Sequence, residues 1–159
     1  MTSFWIDEFW VICVVLALEV AVSMTDGPSD PGSLASGEEP EKPRLLLVED
    51  DWRTHSALCK ILARRGWEVH SAMTVSGGLA LLHLKPQAII LDLMLPDGDG
   101  IAVLYQIRAE NQPAKVAVTT GIEDRSRLEE IRKLAPDAIL RKPLNLEELL
   151  RVLGTLNLT

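Results

Sequence analysis

From Met1 to Glu41 the chain has no lysine or arginine. A secretory signal needs a basic amino-terminal region, which this stretch lacks, and the positive-inside bias gives a membrane span here no orientation. Long apolar runs are missing too. Phe9 to Leu18 (FWVICVVLAL) is ten uninterrupted apolar residues, against the ~20 that cross a bilayer, and Asp7, Glu8 and Glu19 lie in or beside it. Cysteine is scarce: Cys13 and Cys59 stand alone, which excludes a metal knuckle, a paired redox motif and a disulfide framework, and points to the cytoplasm. An excess of base is absent as well. Residues 1–42 hold eight acids against Lys42, 1 − 8 = −7, which is the whole net charge of the chain. The remainder is neutral, so no basic face is available for nucleic acid, where lysine and arginine must neutralise phosphates.

Three regions follow from these patterns. Residues 1–23 form an apolar amino-terminal segment. It reads as a weak membrane anchor (residues 4–24), as an amphiphilic helix packing on a partner, or as a gene-start artefact; we favour the last, with translation from Met24, which opens a polar MTDGPSDPGS. Residues 24–43 are rich in Gly, Pro, Ser and Glu and read as a disordered acidic linker. Residues 44–159 suffice for one domain.

Within that domain short apolar runs alternate with longer segments of helical period, the pattern of βαβ units on a parallel sheet. Strands are expected at Arg44–Val48, Trp67–Ser71, Ala88–Leu91, Lys115–Thr119 and Ala138–Arg141. Helices are expected near Arg53–Arg65 with Gly66 as carboxyl cap, Val75–Leu84, Ile101–Ala109, Arg125–Leu134, and Leu146–Leu156 with Asn145 as amino cap. Gly77 and Gly78 weaken the second helix, and Gly78 suits close packing on the sheet. Right-handed crossovers favour an α/β fold with a five-stranded, doubly wound sheet in flavodoxin-like order 2-1-3-4-5.

Chemistry gathers where such strands end. Asp92 follows the apolar run AIIL directly, before Pro96, Gly98 and Gly100 turn the chain. Glu49-Asp50-Asp51 follows the first strand, Thr119-Thr120-Gly121 the fourth and Lys142-Pro143 the fifth. Singly these are ordinary caps and loops; together, acids, hydroxyl and lysine at four strand ends favour a site. Clustered Glu49, Asp50 and Asp92 repel one another and call for a cation between them. Carboxylate oxygens suit Mg²⁺, which completes its shell with water and phosphate. A phosphoryl group is then the natural guest, with Asp92 as nucleophile and with Thr120 and Lys142 supplying hydroxyl and ammonium. Asp51 reads as a cap or supporting acid, and Asp97 and Asp99 as turn chemistry. His55, His70 and His83 lack any mutual spacing that would hold a metal. Arg125 and Glu129 read as an i,i+4 pair on a solvated helix face.

With these motifs in hand, residues 44–156 resemble a receiver domain of the two-component response regulators, of the single-domain kind: LLLVEDD, DLMLPDGDG, TTG and RKP match its characteristic runs. The resemblance implies Asp92 as phosphoacceptor, Thr120 as switch hydroxyl and Lys142 as phosphate partner. It implies Mg²⁺ held by Glu49, Asp50, Asp92 and the backbone carbonyl of Met94, and a cis Lys142–Pro143 bond. It implies a sensor histidine kinase or phosphotransfer protein as donor, a downstream protein target, and a partner-facing surface on the fourth helix, fifth strand and fifth helix. No enzyme activity is expected beyond self-phosphorylation and self-dephosphorylation. One position departs from the pattern: Ile139 stands where the family commonly has an aromatic residue. That departure makes a phosphorylation-independent adaptor the alternative. A metal-dependent nuclease using Glu49, Asp97 and Asp99 leaves Thr120 and Lys142 without a role.

Overall fold

The structure is a computed structural model and describes residues 41–121 and 123–155. The apolar segment 1–23 and all but the last three residues of the expected linker 24–43 lie outside the described residues. Five parallel strands form the main sheet: β1 (Arg44–Val48), β2 (Glu68–Ala72), β3 (Ala88–Asp92), β4 (Lys115–Thr120) and β5 (Ala138–Arg141). Their spatial order is β2-β1-β3-β4-β5, as the sequence pattern requires. Between and after them run α1 (Trp52–Arg64), α2 (Val75–Leu81), α3 (Ile101–Ala109), α4 (Arg125–Lys133) and α5 (Leu146–Thr155).

Strand residues alternate between two cores, because successive side chains point to opposite faces of a sheet. Leu45, Leu47, Ala88 and Ile90 pack with Leu58 and Leu62 of α1 and with Leu149 and Leu153 of α5. Leu46, Val48, Ile89, Leu91, Val116 and Val118 pack on the other side, with α2, α3 and α4. This two-sided burial is why LLLV and AIIL are continuous apolar runs rather than alternating ones.

Element ends moved for identifiable reasons. Strand β2 begins one residue later than expected, since the Trp67 N–H donates to Leu62 O at 3.2 Å and the Gly66 N–H to Ala63 O at 3.1 Å. Those two bonds form a Schellman close to α1, with Gly66 at φ +90°, so the Trp67 amide is not free for the ladder. Helix α1 begins one residue earlier, at Trp52, because Asp51 caps it by accepting from Thr54 N at 2.8 Å. Asn145 caps α5 as expected, accepting from Glu148 N at 3.0 Å. The second helix tightens into a 3₁₀ turn at Leu82–Leu84. Gly78 is held tightly: a Cβ there would lie 3.1 Å from Val48 Cγ2 and 3.4 Å from Val103 Cγ2.

Between β3 and α3 the chain makes a hairpin that sequence patterning did not reveal, Met94–Leu95 against Gly98–Asp99. Two residue pairs are too few to show a period of two. Among the described residues no helix is long and apolar enough to cross a membrane.

Candidate functional site

Strands β1 and β3 are neighbours whose following helices pack on opposite faces of the sheet, which opens a crevice at their carboxyl ends. Val48 pairs with Leu91, so the next residues, Glu49 and Asp92, emerge side by side. Both carboxylates are 1% exposed. Asp50 is exposed beside them, and carboxylate oxygens of Glu49, Asp50 and Asp92 all lie within 4.8 Å of one another. No other such group of three potential ligands occurs among the described residues.

Two buried acids at this separation need a positive partner, and Lys142 provides it. Its ammonium donates to Asp92 Oδ2 at 2.5 Å and to Glu49 Oε1 at 2.9 Å. The other Asp92 oxygen accepts from the Met94 N–H at 3.0 Å. Glu49 is fixed through its backbone, whose N–H donates to Ala72 O at 3.1 Å. Burial pushes the Glu49 carboxyl above its ordinary 4.5, although the Lys142 ammonium works against the rise. Burial pulls Lys142 down, but hydrogen bonds and charge from Asp92 and Glu49 outweigh it and hold the ammonium above its ordinary 10.5.

Thr120 is buried at the end of β4, and its carbonyl accepts from the Lys142 N–H at 2.9 Å, which holds those two strand ends together. The Lys142–Pro143 bond is cis. The sequence placed Asp92 after its strand, whereas it is the last residue of the ladder, paired with Thr119. Asp51 lies outside the cluster as the α1 cap, and Trp52 opens that helix in an exposed position.

Two residues matter here for reasons the sequence did not disclose. Thr119 is fully buried, and its hydroxyl reaches Leu91 O at 3.5 Å; a Thr-Thr pair does not say which member faces the neighbouring strand. Gly100 presses on the site from behind: a Cβ there would sit 2.1 Å from Asp92 O and 2.9 Å from Leu93 Cα. Asp97 and Asp99 do not join the acids of the cleft. The first accepts from Val75 N and Ser76 N at the start of α2, and the second accepts from Ile101 N at 2.9 Å at the start of α3. This removes two ligands from the nuclease reading. The ion pairs of α4 run through Arg127, to Asp99 and Glu130, rather than from Arg125 to Glu129.

A doubly wound α/β domain with a lysine bridging two buried carboxylates at its switch point defines a flavodoxin-like class whose chemistry sits at strand ends. Within that class the family model for the response regulator receiver domain matches residues 45–154. The photosynthetic apparatus regulatory protein RegA of Rhodovulum sulfidophilum is 37% identical over 82 residues, 51% of this chain and 45% of that protein. The response regulator MprA of Mycobacterium sp. (strain KMS) is 32% identical over 108 residues, 67% of this chain and 47% of that protein. The non-phosphorylated HemR receiver domain of Leptospira biflexa superposes with a TM-score of 0.69 at 29% identity, covering 74% of this chain and 97% of that one. The chain belongs to the response regulator receiver family. It spans about half the length of the curated relatives it matches.

Proposed function

We propose that this domain accepts a phosphoryl group on Asp92 from a sensor histidine kinase or phosphotransfer protein and signals through a downstream protein partner. The observation that carries this reading is the Lys142 ammonium shared between Asp92 and Glu49, because it stands in hydrogen-bond contact with Asp92 where it could pass to a phosphoryl group held there. In the forward step an Asp92 oxygen attacks the phosphorus of a phosphohistidine. The P–N bond breaks, the imidazole leaves with its electron pair and takes up a proton, and an acyl phosphate remains on Asp92. Lys142 then turns from carboxylate to phosphoryl oxygen, and Thr120 offers its hydroxyl to the same group. Hydrolysis ends the state: water attacks the phosphorus, the bond from phosphorus to the Asp92 oxygen breaks, and inorganic phosphate leaves with the carboxylate restored.

The donor set fits a hard divalent cation: three carboxylates converge within 4.8 Å, with a positive group already drawn among them. Glu49, Asp50, Asp92 and the Met94 carbonyl would hold Mg²⁺, which when bound neutralises charge developing on the transferring phosphoryl group.

The test uses the full chain with Mg²⁺ and a small acyl phosphate as donor. Intact mass should rise by one phosphoryl group that base or hydroxylamine removes, and Asp92→Asn should show no such adduct. An adduct surviving in Asp92→Asn would overturn the assignment. A protein that stays unlabelled while binding Mg²⁺ would instead support the phosphorylation-independent adaptor.

A further inference from the structure

Leu95 seats the hairpin beyond Asp92 in the core, and the side chain of Asp97 at its tip adds polar contacts to a second element. Asp97 accepts from Val75 N at 2.6 Å through Oδ1 and from Ser76 N at 2.9 Å through Oδ2, across 21 to 22 residues of sequence. Helix α2 has its own local cap, since Thr74 Oγ1 accepts from Gly77 N at 3.0 Å. Asp97 is therefore more than the helix needs. Its two bonds hold its carboxyl below the ordinary 3.8, so it is a carboxylate at neutral pH. Gly98, next to Asp97, takes φ +152°, a backbone conformation that other residues rarely adopt, and this closes the hairpin turn.

These contacts close a ring around the cleft. Lys142 joins Glu49 to Asp92, Asp92 Oδ1 takes the Met94 N–H, and Met94 pairs with Asp99 at the open end of the hairpin. Asp97 carries the hairpin tip to Val75 and Ser76 at the start of α2. That helix follows β2, whose last residue, Ala72, accepts from the Glu49 N–H. Without Asp97 the ring opens at the hairpin. A ladder of two residue pairs has little stability of its own, and here it carries Met94.

We propose that Asp97 is a positioning residue for the Asp92 site, fixing the hairpin so that Met94 sits correctly against Asp92 and thereby setting the affinity for a divalent cation. This rests on reading Glu49, Asp50 and Asp92 as the cation-binding group. Asp97 touches neither the cation nor the phosphoryl group. Its action is transmitted through the backbone between Leu95 and Gly98.

The experiment measures unfolding free energy of the full chain without Mg²⁺ and then across a Mg²⁺ titration, which separates intrinsic stability from cation affinity. Asp97→Ala should weaken Mg²⁺ affinity roughly 10-fold, as loss of an outer supporting contact does. Asp97→Asn keeps one acceptor and the side-chain shape, and should weaken it by less; it carries the test if the alanine variant does not fold. Thr74→Ala removes the local cap of the same helix and should leave Mg²⁺ affinity unchanged while lowering Mg²⁺-free stability. Equal weakening in Thr74→Ala and Asp97→Ala would reduce Asp97 to a helix cap and overturn the inference. Unchanged affinity in Asp97→Ala beside a normal wild-type response would overturn it alone, whereas no Mg²⁺ response in the wild-type protein would overturn the site reading with it.

Discussion

The Lys142 ammonium lies 2.5 Å from Asp92 Oδ2, so the lysine already occupies ground that a metal ion and a phosphoryl group would share. Removing it leaves two buried carboxylates facing each other without compensation. Lys142→Met should cost about 3 kcal/mol in Mg²⁺-free buffer, the low end for breaking a buried pair because the lysine is partly exposed. Mg²⁺ should then stabilise the variant more than the wild type, having no ammonium to displace. Denaturant titrations with and without Mg²⁺ check both points. Equal stabilisation of the two proteins would show that lysine and metal do not compete.

The pH dependence of stability follows from the directions of the shifts. Lys142 is held above 10.5 in the folded state, so its contribution is complete below that pH and is lost as pH rises through the folded value. Glu49 is held above 4.5, so the folded state keeps its proton longer, and stability falls as pH rises from 4.5 through the raised value. Asp51 and Asp97 are held below 3.8 by the helix N–H groups they accept from, and Asp124 by the Ser126 hydroxyl and then the Arg127 N–H; their contributions vanish as pH falls through the lowered values. Mg²⁺-free protein should therefore weaken in acid below 3.8 and in alkali above 10.5, with a decline above 4.5 that is absent in Glu49→Gln. A wild-type stability that climbs relative to Glu49→Gln above pH 4.5 would contradict the sign for Glu49.

Gly100 and Gly66 should respond very differently to the same added methyl group. At Gly66 nothing lies within 4 Å of the would-be Cβ, so Gly66→Ala meets only the φ +90° backbone and should cost about 1 kcal/mol. At Gly100 the methyl would meet the Asp92 carbonyl oxygen at 2.1 Å, and backbone cannot step aside as a flexible side chain can. Gly100→Ala should cost about 3 kcal/mol or more, with loss of labelling at Asp92. Unfolding midpoints of the two variants decide the matter, and comparable losses would mean the hairpin yields easily.

What the sequence showed and what it hid divide along physical lines. LLLV and AIIL could be read because a strand buried on both faces needs a continuous apolar run, and Asp92 stood out because nothing apolar explains it. The cluster of Glu49, Asp50, Asp92 and Lys142 was legible because doubly wound sheets bring strand ends together. The hairpin was not, being too short for a periodic signal. Asp97 and Asp99 looked alike as turn acids; only three-dimensional placement sends one to α2 and the other to α3. The start of β2 was hidden because a Schellman close takes the Trp67 amide, a matter of one hydrogen bond rather than of residue type.

Under the proposed function, Ile139 is the position through which a phosphoryl group on Asp92 would be felt elsewhere. It pairs with Val118 across β4 and β5, and it packs, half-buried, against the core beneath α2, α3 and α4. Thr120 lies two residues beyond Val118 on the same strand and therefore on the same face. On that reading a shift of Thr120 toward the cleft would open space on that face, and an aliphatic side chain could follow without leaving a polar group unpaired. An aromatic hydroxyl in its place would have to exchange hydrogen-bond partners, so Ile139 should give a smaller change in surface chemistry but no barrier to movement. Ile139→Ala should leave labelling at Asp92 within about twofold of wild type, because the residue lies behind the site, and should cost about 1 kcal/mol as a half-buried truncation. Hydrogen exchange with and without the phosphoryl group should show a change in protection of α4 and β5 in the wild type that shrinks in the variant. An undiminished change would mean that the signal leaves through the hairpin and Arg127, which joins Asp99 to α4, rather than through the sheet.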